Sequence, residues 1–364
     1  MPVIKPRFEF SKSQKITRRS LLFALGYCLV LSTALSSCSE AKNNAQQSPA
    51  SSDPATSSNT TEKQTVRIVR SKQLTGLAVL EKQGALEKRL QPLGFKVQWS
   101  EFAAGPQQLE AINANALDIA STAESPPVFS QAAGAPLVYL ATTYSSGKAV
   151  SLLVPVNSPI KSVADLKGKK VAFQKASIGH YLLVKALEKA GLKLSDVQSV
   201  FLPPPDANVA FSQGKVDAWF IWEPFVTRNV QNKSGRVLVD GGELRDTGNF
   251  YSTSRQFYEA HPDVIKVFLE ELEKAEIWTK EHPKEVAQLL APVTQLDSSL
   301  LETMHSKYSY GVLPITEKTI IKQQEVADKW YSLGLIPKKV DVKVGFLTPE
   351  EYAKITPAEV LANK

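Results

Sequence analysis

Short apolar runs alternate with helical patterns along most of this chain, and that alternation constrains its fold more than any other feature. Thr65 to Val69, Val97-Gln98-Trp99, Ile119-Ala120, Pro136 to Thr142 and Val150 to Val154 read as strands, with helices over 77–90 and 107–114 between the first three. The alternation then repeats. Val171 to Phe173 is a strand and Gly179 to Ala190 a helix stopped by Gly191. Val200-Phe201-Leu202 is a strand, 205–213 a helix, Ala218 to Ile221 a strand, and Val237-Leu238-Val239 a closing strand. Such order predicts α/β architecture with mainly parallel sheets. From Pro262 onward the pattern is mostly helical, over 262–281, 283–290, 297–306 and 316–333. The repeat at 151–240 reads as a second α/β unit inserted into the first. Two crossings, near 145–155 and 238–247, would join lobe 1 (65–150 plus 241–364) to lobe 2 (151–240). A ligand would then sit between the lobes, at strand C-termini.

The start of the chain is of another kind. Basic residues (Lys5, Arg7, Lys12, Lys15, Arg18, Arg19) precede an apolar run from Leu21 to Leu35, shorter than the ~20 residues a membrane span needs. This reads as a signal peptide over 1–38. It ends Leu35-Ser36-Ser37-Cys38, which resembles the lipobox of bacterial lipoproteins and implies lipidation of Cys38. Thr17-Arg18-Arg19-Ser20-Leu21-Leu22 also resembles a twin-arginine export signal. Residues 39–64, rich in Ser, Asn, Thr and Ala, have little to bury and read as a flexible linker. The expected layout is an exported domain held on the outer side of a membrane by lipid and tether.

Cysteine and charge narrow the function. The chain has two Cys, Cys28 and Cys38, so none remains after Cys38 for a disulfide, a thiol nucleophile or a thiolate metal site. Of 43 Lys/Arg and 36 Asp/Glu, 8 and 4 fall in residues 1–64, leaving 35 against 32 in the folded part. That balance gives no basic tract for nucleic acid. The four His residues, His180, His261, His282 and His305, lack metal-ligand spacing, and neither a G-x-S-x-G nor a P-loop motif occurs. A binding function without cofactor or metal is expected rather than catalysis.

The junction Val171–Leu183 carries the sharpest site expectation. Strand, Ser177 and helix follow one another, and a helix N-terminus with unpaired N–H groups favours an anion. The plain alternative is that Ser177 only caps the helix. His180 is either a donor to the same anion or a surface helix residue. Trp222 and Glu223, after a strand holding Trp219, read as cleft residues, with Trp219 in the core.

Several segments resemble aliphatic sulfonate-binding proteins of bacterial ABC importers. They are Glu101-Phe-Ala-Ala-Gly-Pro-Gln107, Ser121-Thr-Ala-Glu-Ser-Pro-Pro127, Gln131-Ala-Ala-Gly-Ala135 and Asn157-Ser-Pro-Ile-Lys-Ser-Val-Ala-Asp-Leu-Lys-Gly168. To these are added Val171-Ala-Phe-Gln-Lys-Ala-Ser177, Val216-Asp-Ala-Trp-Phe-Ile-Trp-Glu-Pro224, Thr247-Gly-Asn-Phe-Tyr251 and Leu335-Ile-Pro-Lys-Lys-Val-Asp341. The resemblance covers about 65–345. Some blocks are shared with the wider group that binds nitrate, bicarbonate, taurine and pyrimidine precursors. Where the family often has Gly then Asp, this chain has Ala123-Glu124, and Ile178-Gly179 replaces Ser-rich residues.

The resemblance implies a two-lobed periplasmic binding protein of type II that takes up a sulfonate and hands it to an ABC permease and its ATPase. Ligand contacts are expected from Gln73, Leu74, Thr122, Ala123 and Glu124 on one side. Ser177, Gly179, His180, Trp222 and Glu223 are expected on the other, with Gly248 and Phe250 at the second crossing. A monomer that performs no chemistry is expected. The alternatives are another small anion or heterocycle (nitrate, taurine, a pyrimidine precursor) as ligand, or a sensory receptor without its own permease.

Overall fold

A computed structural model describes residues 64–363. The expectations for the signal peptide, Cys38 and most of the linker fall outside these residues. Among the described residues no helix is long and apolar enough to cross a membrane.

The first stretch runs β1 (Gln64–Val69), α1 (Gly76–Gln83), α2 (Ala85–Leu90), β2 (Phe95–Ser100), α3 (Gly105–Asn113), β3 (Ala120–Thr122), α4 (Ser125–Ala132) and β4 (Leu137–Thr143). The helix expected over 77–90 is two helices. Gly84 adopts φ 61°, a left-handed conformation that ends α1 and starts α2.

The second stretch runs β5 (Val150–Pro155), β6 (Lys170–Phe173), α5 (Ile178–Lys189), β7 (Gln198–Phe201), α6 (Pro204–Ser212), β8 (Ala218–Trp222), α7 (Phe225–Gln231) and β9 (Gly235–Asp240). These strands form one five-stranded sheet in the order β7-β6-β8-β5-β9. Side-chain alternation along β8 explains how the sheet is covered. Phe220 faces α5, with Leu182 and Leu187 in one buried cluster, while Trp219 and Ile221 face Phe211 of α6 and Val226 of α7 in another.

The last stretch runs β10 (Phe250–Ser254), α8 (Arg255–Ala260), α9 (Pro262–Glu281), α10 (Pro283–Thr294), α11 (Ser298–His305), β11 (Val312–Leu313), α12 (Glu317–Ser332), α13 (Pro349–Ile355) and α14 (Ala358–Leu361). The 20-residue α9 buries Val264, Ile265, Phe268, Leu269, Leu272 and Ala275, an amphipathic stripe at helical spacing against α1 and α2.

The sheets are mixed, which corrects the expectation of mainly parallel pairing. β1–β2, β6–β7 and β6–β8 are parallel, but β5 is antiparallel to β8 and β9, and β10 is antiparallel to β3 and β4. The cause is topological. The chain leaves for the five-stranded sheet as β5 and returns through β9, then enters the sheet β11-β4-β10-β3 between two strands that run the other way.

Two passages, 144–149 and 241–249, connect the five-stranded sheet to the rest. They lie side by side. Gly241 N–H donates to Val150 O at 2.8 Å, Thr143 N–H to Asn249 O at 2.9 Å, and Ser145 Oγ to Arg245 O at 3.0 Å. A Cβ on Gly147 would fall 2.3 Å from Gly241 O, so only glycine permits this approach.

Candidate ligand cleft

A cleft of about 340 Å³ opens where the parallel strands end. The loops after β1, β2 and β3 form one wall, through Gln73, Phe102, Thr122 and Ala123. The loops after β6, β7 and β8 form the other, through Ser177, Ile178, Pro205, Trp222 and Glu223, with Arg228 from α7. Tyr308 and Tyr310 before β11, Glu276 of α9 and Arg245 of the second passage close the ends.

Ser177 caps α5. Its Oγ accepts from Gly179 N–H at 3.1 Å and His180 N–H at 3.5 Å, and donates to Gln174 O at 2.7 Å. The hydroxyl is therefore committed to the helix. What the junction offers the cleft is the first turn of the 12-residue α5 itself, starting at Ile178, with its helix-dipole end.

His180 does not face the cleft. It is fully buried, its ring 4.7 Å from Phe173 and 4.6 Å from Trp330 of α12. Its Nδ1 accepts the Ala176 N–H at 3.3 Å, which braces Ala176 at φ 62°. Burial, helped by Lys175, lowers its pKa to about 3, so the ring is neutral and its role is in packing. Gly179 is likewise structural: a Cβ there would lie 2.8 Å from Phe220 O, so glycine lets α5 pack on β8.

On the opposite wall Thr122 is buried, and its Oγ1 has no hydrogen-bond partner. Glu124 stands behind the wall, wholly buried. Its Oε2 accepts from Arg245 Nη2 at 2.8 Å and Nε at 3.1 Å. Arg245 also donates to Asn249 Oδ1 at 2.8 Å, so this pair ties the β3–α4 corner to the second passage. Leu74 and Phe250 are fully buried core residues, Phe250 with its ring 4.9 Å from that of Tyr139. Gly248 would place a Cβ 1.7 Å from Thr143 O, which identifies it as a packing position of the passages.

Glu223 lines the cleft but is not free. Its carboxylate accepts from Thr227 N–H and Oγ1, each at 2.9 Å, and from Lys307 Nζ at 2.5 Å. Trp222 is half-buried beside it, whereas Trp219 is in the core. Of the twelve expected contact residues the cleft thus gathers Gln73, Thr122, Ala123, Ser177, Trp222 and Glu223. Sequence reasoning missed Arg228, Arg245, Glu276 and the Tyr308-Ser309-Tyr310 segment. The last is visible as an aromatic pair before Gly311, but nothing local places it at a cleft whose two walls are built from residues 69–228. Among the described residues no cluster of His, Cys, Asp and Glu could hold a metal ion.

Mixed α/β lobes around a cleft at strand C-termini, joined by two passages, define the periplasmic-binding-protein fold. The alkanesulfonate-binding protein SsuA from Xanthomonas axonopodis, solved bound to MOPS, superposes with a TM-score of 0.75 at 35% identity over 79% of this chain and 99% of that one. Residues 92–286 match the NMT1/THI5-like family. A curated protein of Escherichia coli named for binding aliphatic sulfonates is 40% identical over 287 residues, 79% of this chain and 89% of its own length. A Bacillus subtilis protein of the same name is 36% identical over 281 residues, 76% of this chain and 84% of its own. The chain belongs to the NMT1/THI5-like family, among its aliphatic sulfonate-binding proteins.

Proposed function

We propose that the protein captures an aliphatic sulfonate between its two lobes and delivers it to an ABC permease. The observation that carries this reading is the supply of uncommitted donors. Arg228 lines the cleft with no salt bridge among the described residues and donates only to Thr294 O, at 2.6 Å. Thr122 Oγ1 is unpartnered, and the N-terminal end of α5 faces the same space with its helix dipole, its Gly179 and His180 N–H groups being held by Ser177 Oγ. A sulfonate is a permanent anion with three acceptor oxygens, so it calls for several donors. Trp222, Phe102 and Phe225 supply apolar surface for an alkyl tail.

In this reading residues 65–150 with 241–364 form one lobe and 151–240 the other, and they close about the paired passages. The protein acts as a monomer without chemistry of its own. Residues 1–38 direct export, Cys38 carries the lipid, and 39–64 tether the domain on the periplasmic or outer side of the membrane. The family relatives, named as binding proteins, support the solute-capture part.

Thermal shift with hexanesulfonate, taurine, nitrate, sulfate and uracil tests the ligand. A specific ligand at 100 times its Kd should stabilise the fold by ~2.7 kcal/mol. A clear shift with nitrate and none with hexanesulfonate would overturn the reading. Replacing Cys38 by Ala should release the protein from membranes; unchanged retention would overturn the anchor.

A further inference from the structure

Glu276 is the carboxyl of the cleft that the anion reading leaves unexplained. It projects from α9 into the cleft wall while only 4% exposed. Its Oε1 accepts the Gly76 N–H at 3.0 Å, and the Gly311 N–H also points at it. A Cβ on Gly76 would fall 2.6 Å from Glu276 Cδ, so the start of α1 is fitted around this side chain.

The other carboxylates lining the cleft have cations. Glu101 pairs with Lys72 at 2.6 Å and Glu223 with Lys307 at 2.5 Å. Glu276 has no salt bridge among the described residues. The titratable groups around it are Tyr251 of β10, Tyr310 before β11, and Glu273 one turn earlier on α9; His305 stacks on the ring of Tyr310 at 4.6 Å. From α1 it meets the Gly76 N–H. Lys280, one turn further along α9, is exposed and acts on Glu273. Among the described residues no cation is within salt-bridge distance of Glu276 to compensate its ionised form, and an anion in the cleft would add to the repulsion.

We propose that Glu276 is a ligand-binding residue that works as a carboxylic acid, so that capture of an anion in this cleft is linked to its protonation. This rests on the reading of the cleft as an anion site. The proton balance is simple. When the carboxyl is already protonated the anion binds without net proton exchange. When it is ionised, one proton is taken from solvent on binding, and the O–H is available to donate to the ligand. Burial already pushes the free carboxyl up to about 8, against the two N–H groups that favour its ionised form. The linkage should therefore show in the weakly alkaline range.

Calorimetric titration of the protein with hexanesulfonate from pH 6.5 to 9.5, in buffers free of sulfonates, tests this. The affinity should be flat near pH 7 and fall by up to about tenfold per pH unit above 8. At pH 8.5 the binding heat should differ between Tris and borate by an amount that reports proton uptake. Glu276→Gln should bind hexanesulfonate with a flat profile and without uptake. Binding by the wild type with no uptake and no decline to pH 9.5 would overturn the role of Glu276 and leave the anion reading standing. This wild-type result decides the matter even if the variant fails to fold. Failure of hexanesulfonate, nitrate and sulfate to bind at any pH would instead overturn the anion reading, and this inference with it.

Discussion

Lys307 Nζ lies 2.5 Å from the carboxylate of Glu223, which is wholly buried, and so joins the segment after α11 to the end of β8. Removing one member of a buried pair leaves the other uncompensated, at a cost of ~3–5 kcal/mol in general. Lys307 keeps 29% of its side chain in solvent, so Lys307→Met is expected to cost less, about 2–3 kcal/mol. Lys307→Met with Glu223→Gln should recover at least about 1 kcal/mol of that loss, since the buried charge is gone. Urea unfolding of the single and double variants measures the coupling. Additive costs would mean that the two groups do not stabilise each other.

His180 predicts an acid-side loss of stability. Its folded pKa is lowered to about 3 while an unfolded His titrates near 6.5. The unfolded chain thus binds more protons between these values. The contribution is fully present above pH 6.5 and is lost as pH falls toward 3, by up to about 1.4 kcal/mol per unit. Replacing His180 by Phe keeps an aromatic ring between Phe173 and Trp330 and removes the titration. Melting temperature followed from pH 7 to pH 4 should fall more steeply for the wild type. Equal slopes would assign the acid sensitivity to other groups.

The α/β class, the inserted second sheet and most helices were legible because apolar periodicity is local. β10 was not. Its residues Phe-Tyr-Ser-Thr-Ser lack an aliphatic run, and it is a strand because β3 and β4 pair with it from both sides. The same limit shaped the site. Ser177 was legible as a cap from its own neighbours. The inward turn of His180 depends on Trp330, 150 residues away, and the pairing of Glu223 depends on Lys307. Arg228 carries no motif; it matters because α7 begins at the cleft rim. The helical tail read from 262 onward gave no hint that its connecting segments return to cover that rim.

Arg228 predicts the largest loss of affinity without a matching loss of fold. It is half-buried, and among the described residues its guanidinium donates to one carbonyl, Thr294 O. A charged hydrogen bond to an anion is worth ~1.5–3 kcal/mol. Arg228→Met should therefore raise the Kd for hexanesulfonate by about 10- to 100-fold. Arg228→Lys should recover part of it, because the charge returns but the planar fork does not. Unfolding free energy should change by less than about 1 kcal/mol. Unchanged affinity in the Met variant would remove Arg228 from the binding site.

The glycines of the two passages predict a coupling between hinge and ligand. Gly147 and Gly241 approach so closely that a Cβ on either meets the other's carbonyl oxygen, at 2.3 and 2.7 Å. Backbone atoms cannot step aside as a side chain can, so Gly147→Ala must spread the passages. The expected cost is about 1–3 kcal/mol, the range for overpacking. Gly242→Ala is the control. Its Cβ meets only side-chain atoms of Asp240 and Lys148, at 3.0 and 3.3 Å, and these can move. If the lobes close about this contact, small-angle scattering should show compaction on adding hexanesulfonate to the wild type and to the Gly242 variant. The Gly147 variant should compact less and bind more weakly. Full compaction with unchanged affinity in Gly147→Ala would show that closure does not turn on this pair, and the hinge would have to be sought at Arg245 and Glu124, which tie the second passage to the β3–α4 corner.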